Sequence, residues 1–216
     1  RIQGLNFALL SPEEIRKMAG TKVITADTYD DDGFPIEMGL MDPRLGVMEP
    51  GLRCKTCGRK VDECPGHFGL INLAMPVIHV GYTKIVKNIL KSTCRKCGRI
   101  LLTQAAVDGF RTEIMDFADH HNEPHDIGKI YKNLYTAAEK TKVCPHCNSE
   151  QRKITLDKPT SFRENGHKLT PKEVRERLER VIDGDLVPLG LNPKVARPEW
   201  MVLTALPVPP VTVRPS

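Results

Sequence analysis

The chain has 216 residues, is 40% hydrophobic and 27% charged, and carries a net charge of +5. That length suits one large domain or two small ones, the charge falls well short of a polybasic tail, and no apolar run approaches the ~18 residues of a membrane span. Aromatic residues are only 5%, against 16 Gly and 17 Pro, so turns are many and a loop-rich chain of this kind needs cross-links beyond its apolar core.

In chain order, residues 5–10 are a short apolar run that reads as a strand. Ser11-Pro12-Glu13-Glu14 has the form of a capping box with Pro at the first helical position, so a short helix follows to about Ala19, closed by Gly20. Residues 21–50 are dense in turn signals and read as loop with short extended pieces. Asp30, Asp31 and Asp32 form a solvated turn in this reading rather than a metal site. After the cysteine motifs of 54–67, residues 68–80 suggest one or two strands around Pro76, with His79 a satisfied core histidine. Ile85, Val86, Ile89 and Leu90 lie at helical spacing, giving a helix over 82–90 that leads to Cys94.

Residues 105–118 and 127–138 read as two helices, each with one apolar face. The His-rich link at 119–125 is an exposed polar loop. Residues 151–157 read as a strand. Thr170-Pro171-Lys172-Glu173 repeats the capping-box pattern, and Val174, Leu178, Val181 and Ile182 form an apolar stripe behind it. Lys172, Arg175, Arg177 and Arg180 are diluted by Glu173, Glu176 and Glu179, which makes that side a solvated face. The tail from Pro198 starts as a strand and becomes Pro-rich, with an extended path fixed by prolines at 207, 209, 210 and 215.

The seven cysteines carry the chemistry. Cys54-Lys-Thr-Cys57 and Cys64-Pro-Gly-His67 are separated by six residues and supply three thiolates and one imidazole, a complete tetrahedral shell. Cys94-Arg-Lys-Cys97 and Cys144-Pro-His-Cys147 supply four thiolates from two halves 46 residues apart. Every cysteine is thereby used, and an odd number argues against a closed disulfide framework. His146 is an alternative ligand at the second site. Iron–sulfur ligation is the alternative for the four-thiolate set, although its spacing matches neither common ferredoxin pattern. A thioredoxin-like redox pair needs one such motif in a βαβ context, and three are present. Two structural Zn2+ ions are expected, with no open position for water, no catalytic residue in the chain, and about 10 kcal/mol or more of folding energy coupled to each ion. Such thiolates fit a reducing, cytoplasmic setting. Residues 1–10 lack the zones of a signal peptide, and the start at Arg and the abrupt Pro-rich end suggest a piece of something longer.

Several blocks together resemble the start of the largest subunit of multisubunit DNA-dependent RNA polymerases. They are Thr28-Tyr-Asp-Asp-Asp-Gly-Phe-Pro35, Gly39-Leu-Met-Asp-Pro-Arg-Leu-Gly-Val47, the Cys54 and Cys64-Pro-Gly-His-Phe-Gly69 motifs, Arg197-Pro-Glu-Trp-Met-Val-Leu-Thr204 and Leu206-Pro-Val-Pro-Pro210. The Gly39 block looks most like the archaeal version, and the likeness runs from about Leu5 to Ser216. The resemblance implies an α+β, irregular, loop-rich clamp core stapled by zinc, with a helical clamp-head insertion. It places the clamp core with the first site at 1–93, the clamp head with the second at 94–190, and a return to the core and the start of the lid at 191–216. It implies zinc on Cys54, Cys57, Cys64 and His67, and on Cys94, Cys97, Cys144 and Cys147. Arg214 becomes the basic residue nearest the nucleic acid. The family's Asn-Ala-Asp-Phe-Asp-Gly-Asp motif is absent from the sequence, so the resemblance implies a nucleotidyltransferase whose catalytic Mg2+ is bound outside this segment. Implied partners are the other polymerase subunits, template DNA, the RNA–DNA hybrid, and initiation and elongation factors, with no membrane. The alternative is an independent zinc-ribbon module that binds nucleic acid or protein as a regulator.

Overall fold

The computed structural model of the chain describes residues 8–120 and 124–214, and of residues 124–126 the backbone alone. The regular elements are α1 (Pro12–Met18), β1 (Thr21–Lys22), β2 (Gly69–Ile78), α2 (Thr83–Ser92), α3 (Gln104–His120), α4 (Pro124–Glu139), β3 (Ile154–Asp157), β4 (Ser161–Glu164), β5 (His167–Leu169), α5 (Pro171–Glu179), α6 (Asp183–Leu186) and β6 (Val202–Val208). Helix and strand are mixed, as an α+β fold requires. The chain divides into two units: Ser11–Ala74 with Leu203–Ser216, and Arg1–Leu10 with Met75–Val202.

In the first unit, α1 begins where the Ser11 hydroxyl accepts the Glu14 N–H at 3.1 Å, a one-sided cap with Pro12 at the first position. The helix ends at Met18, a residue before expectation, and Gly20 does not take a left-handed turn. Its N–H instead bonds the Phe68 carbonyl at 2.8 Å and leads the chain into β1. Strand β1 pairs in parallel with β2, Thr21 opposite Gly69 and Lys22 opposite Leu70, in a sheet of order β1-β2-β6. One continuous β2 runs through Pro76. β1 ends at Lys22, opposite Leu70, and among the described residues no ladder continues on this flank of β2 for a missing N–H to interrupt. The apolar contacts are divided into small clusters. Val23, Leu45, Val208 and Val211 form one, Ile15, Leu70 and Ala205 another, and Val47 packs with Cys54 and Cys64 in a third. Clusters of three or four side chains bury too little to order so many turns, and the third is built on the cysteines themselves.

The second unit has a larger core. Val86, Ile89, Leu90, Ile100, Val107, Leu134, Phe162, Val174, Leu178, Leu186, Leu189 and Met201 are all within it. β3, β4 and β5 form an antiparallel sheet, with Ile154 opposite Glu164 and Phe162 opposite Leu169. α3 and α4 add a satellite cluster of Ile114, Ile127 and Ile130. Thr170 caps α5 with both halves of the capping box made. Val174, Leu178 and Val181 of the expected stripe are buried, whereas Ile182 caps α6 and is exposed. Two further expectations are corrected. Residues 8–10 form no strand, Leu9 bonding only the Val195 carbonyl at 2.7 Å, while 5–7 lie outside the described residues. His79 is exposed rather than in the core, because the run around it leaves Val77 and Val80 in solvent. Its Nδ1 accepts the Gly81 N–H at 3.0 Å. Of the His-rich loop expected at 119–125, residues 119–120 end α3 and 124–125 begin α4, while 121–123 lie outside the described residues.

Candidate metal centres

Three of the four cysteine knuckles are the same piece of backbone. Cys54 N–H bonds the Arg59 carbonyl at 2.9 Å, and Gly58 N–H returns to the Cys54 carbonyl at 2.8 Å. Cys94 with Arg99 and Gly98, and Cys144 with Ser149 and Asn148, repeat this pattern. The residue after the second cysteine must be left-handed for the ring to close. Its φ is +70° at Gly58, +75° at Gly98 and +60° at Asn148, the three residues being types that tolerate that region. Within each knuckle the amide two residues on points at the first sulfur, from Thr56 at 3.4 Å, Lys96 at 3.3 Å and His146 at 3.4 Å. The Cys64–His67 turn is built differently, with Cys64 N–H on the Lys60 carbonyl and His67 N–H on the Leu45 carbonyl.

These turns collect the eight residues expected from sequence into two groups. Cys54, Cys57, Cys64 and His67 form one, and Cys94, Cys97, Cys144 and Cys147 the other, each with its ligand atoms within 4.8 Å of one another. Sulfurs held at about 2.3 Å from one tetrahedral ion stand about 3.8 Å apart, whereas a disulfide brings them to about 2.05 Å. The observed separations are 3.6 Å for Cys57–Cys64, 3.5 Å for Cys94–Cys147 and 3.7 Å for Cys97–Cys144, and Cys64 Sγ is 3.8 Å from His67 Nε2. All seven cysteines are free thiols. The donor sets therefore fit one tetrahedral ion each. His146 is not among the four residues of the second group, and its Nε2 lies 2.8 Å from the Leu102 carbonyl.

The electrostatics of the second group favour a cation. Burial pushes the Cys97 thiol up to about 12 and also raises Cys144. Hydrogen bonds from Ser149 bring Cys147 down to about 6. Burial opposes ionisation of Cys94, but the amides of Cys97 and Lys96 outweigh it and leave that thiol below its ordinary value. Four adjacent sulfurs cannot all carry charge without a counter-ion, and a bound dication supplies it.

The supporting shell was not legible as such. Around the first group, the loop Gly39–Gly46 offers its carbonyls: Pro43 to Lys55 N–H at 3.3 Å, Arg44 to the Thr56 hydroxyl at 2.7 Å, and Leu45 to His67 N–H at 3.0 Å. That loop is locked by Asp42, which is 0% exposed. Its carboxylate accepts Met38 N–H at 2.6 Å, Arg44 N–H at 2.8 Å and the Arg44 guanidinium at 2.7 Å. Burial raises its pKa, but Arg44 and the two amides outweigh that and hold the acid below its usual range. Around the second group, Gln151 donates to Cys94 Sγ at 3.3 Å and accepts Arg95 N–H at 3.0 Å, which stitches one half of the site to the other. Buried Asp185 takes the Arg99 guanidinium at 2.9 Å and Ile100 N–H at 3.1 Å, fixing the exit of the Cys94 knuckle.

Other expected residues have structural partners. Asp30 accepts Asp32 and Phe34 N–H at 3.1 and 2.8 Å, so the acidic triplet is a turn. The Arg214 guanidinium is bonded to the carbonyls of Pro209 and Leu40. The chain segment before it crosses the first knuckle set. A Cβ on Gly66 would meet Pro210 Cβ and Thr212 Oγ1 at 2.4 Å.

A family profile described as RNA polymerase Rpb1, domain 1, matches residues 1–216. The chain is 61% identical over 218 residues to the DNA-directed RNA polymerase subunit Rpo1N of Thermoplasma acidophilum, covering 100% of this chain and 25% of that protein. It is 60% identical over 216 residues to the Rpo1N of Methanothermobacter thermautotrophicus strain Delta H, covering 100% and 24%. It is 48% identical over 219 residues to that of Sulfolobus acidocaldarius, covering 100% and 25%. The chain thus spans about a quarter of the length of the curated relatives it matches.

Proposed function

The chain belongs to the RNA polymerase Rpb1 domain 1 family, the N-terminal part of the polymerase's largest subunit, and from that premise we propose that it is the clamp that holds DNA and the RNA–DNA hybrid during transcription. Residues 1–93 act as clamp core, 94–190 as clamp head, and 191–216 return to the core and begin the lid, where Arg214 faces nucleic acid. The observation that carries this reading is the pair of four-ligand groups, each gathered by its own knuckles with tetrahedral spacing. Zn2+ is the ion that such thiolate and imidazole sets select, and when bound it supplies folding energy rather than chemistry. Cys54, Cys57, Cys64 and His67 hold one ion, and Cys94, Cys97, Cys144 and Cys147 the other.

The chain's own part is mechanical. Thiolates and knuckle amides stiffen the walls, most where the apolar clusters are small in the first unit, and a stiff wall can swing to close a cleft. Contacts to phosphate fix nucleic acid without reading sequence. Nucleotidyl transfer is assigned to the assembled polymerase, with Mg2+ held outside these residues. Other polymerase subunits and transcription factors are the remaining partners, and the setting is the cytoplasm. Among the described residues no helix is long and apolar enough to cross a membrane.

The test is a reconstituted polymerase carrying Cys144→Ser. The reading expects one zinc fewer per enzyme and a shorter lifetime of stalled elongation complexes in high salt. An unchanged lifetime with the zinc lost would refute it. Binding of nucleic acid by the chain with no affinity for the other subunits would favour an independent zinc-ribbon module instead.

A further inference from the structure

In the second unit, a cleft of about 330 Å³ opens between the end of α2, the end of α4 and the start of β3. Its floor is apolar, made by Leu90, Leu101 and Ile154. Its walls carry five cations: Lys91, Lys142, Arg152, Lys153 and Arg177. Two carboxylates offset them. Lys91 Nζ lies 3.0 Å from Glu139, and Glu164 is shared by Arg177 and, at 3.6 Å, Arg152. Lys142 and Lys153 are exposed and have no ion pair among the described residues.

The cleft is left with a surplus of three positive charges. Elsewhere in the same unit Arg99, Arg163, Arg175 and Arg197 each hold a carboxylate. A concave wall of one sign focuses its field inward and raises the local concentration of anions. The hydroxyls of Thr93 and Thr141 are committed to the Ile89 and Leu101 carbonyls, and the Gln151 amide to Cys94 and Ser149. The free donors are therefore the ammonium groups of Lys142 and Lys153 and the guanidinium of Arg152, whose nearest carboxylate is 3.6 Å away, and both donor types take phosphate through charge-assisted hydrogen bonds.

We propose that this cleft binds phosphate groups, and that it takes them from the backbone of a nucleic-acid strand. The phosphate chemistry stands on the cleft alone; the choice of a strand as its source rests on the clamp reading. Lys142 and Lys153 make the direct contacts, Lys91 and Arg152 add their remaining N–H groups, and the apolar floor receives the sugar or base edge of the bound nucleotide.

The experiment titrates the zinc-loaded chain against a fluorescein-labelled single-stranded oligodeoxynucleotide, followed by anisotropy, with inorganic pyrophosphate as competitor. Both lysines are exposed and outside the metal shells, so K142Q and K153Q leave the fold intact. Each should weaken binding by about tenfold, the scale of one charge-assisted hydrogen bond. The double variant should lower the slope of log affinity against log salt by about 1.4, two phosphates on a single strand. K172Q, an exposed lysine on α5, should change neither. Strand affinity unaltered in the double variant, or lowered as much by K172Q, would overturn the proposal. Pyrophosphate binding that the double variant abolishes, without strand binding, keeps the phosphate site and overturns the strand as its source. The clamp reading fails separately, on the elongation-complex lifetime of the Cys144→Ser enzyme.

Discussion

Gly58 and Gly98 do the same backbone task in sister knuckles, yet substitution should cost different amounts. Both are left-handed, so Ala at either costs about 1–2 kcal/mol from the Cβ alone. A Cβ on Gly58 meets nothing within 4 Å. A Cβ on Gly98 lies 2.6 Å from Arg180 Cβ and from the Arg180 carbonyl oxygen, well inside contact distance. Those atoms are backbone or next to it, in the cap of α5 beside buried Leu178 and Val181, so they cannot swing away. Overpacking of that kind adds about 1–3 kcal/mol. Asn separates the two effects, because Asn148 already occupies the equivalent position in the third knuckle. Gly58→Asn should be nearly neutral. Gly98→Asn should lose about 1–3 kcal/mol, roughly 2–12 °C in the transition of its unit. Calorimetry of the zinc-loaded variants, with Trp200 fluorescence assigning the transition to the second unit, measures this. Equal losses at the two positions would refute the argument that Arg180 makes Gly98 obligatory.

Asp42→Asn removes the anion that holds the Gly39–Gly46 loop and should destabilise the first unit by about 2–3 kcal/mol in urea unfolding, with faster zinc release to a chromophoric chelator. Because the native acid is held below its ordinary value, its contribution is complete above pH ~4 and fades as pH falls through the lowered pKa. The gap between parent and D42N should therefore narrow in acid, and a gap that widens there would contradict this assignment. Asp185→Asn should cost about 2 kcal/mol and loosen the second group, seen as faster loss of the cobalt–thiolate absorption in the presence of chelator. Thr170→Ala removes a complete capping box and should lower stability by about 1 kcal/mol, with Thr170→Ser restoring most of it.

The ligands were legible because three of the four knuckles encode their own turn, with two residues between the sulfurs and a left-handed residue after the second, and the fourth keeps the same spacing between Cys64 and His67. The helices were legible from apolar spacing, and the Thr170 box from four adjacent letters. What the sequence hid is long-range. Nothing local says that the carbonyls of Pro43, Arg44 and Leu45 receive donors from the first metal loop, or that Asp185 reaches back to Arg99 and Ile100. Asp42 and Asp185 carry no local sign of burial, and tertiary packing makes them buried anchors. His79 failed in the opposite sense: an apolar run promised burial, but of its immediate neighbours only Ile78 turns into the core, while Val77, His79 and Val80 stay in water. Around Pro76 the sequence left one strand or two open, and the structure has one, Gly69–Ile78.

The two groups differ in span, and that imposes an order on their assembly. The first draws all four ligands from Cys54 to His67, whereas the second needs Cys147, 80 residues after His67. A ribosome adding about 5–20 residues per second takes roughly 4–16 s to cover that distance. During this interval the earlier quartet can already capture its ion while Cys94 and Cys97 wait with half a nest. A growing chain starved of metal at that moment exposes two reactive thiols with no partners, so the interval between the two loadings is when this part of the molecule is most open to oxidation and mispairing.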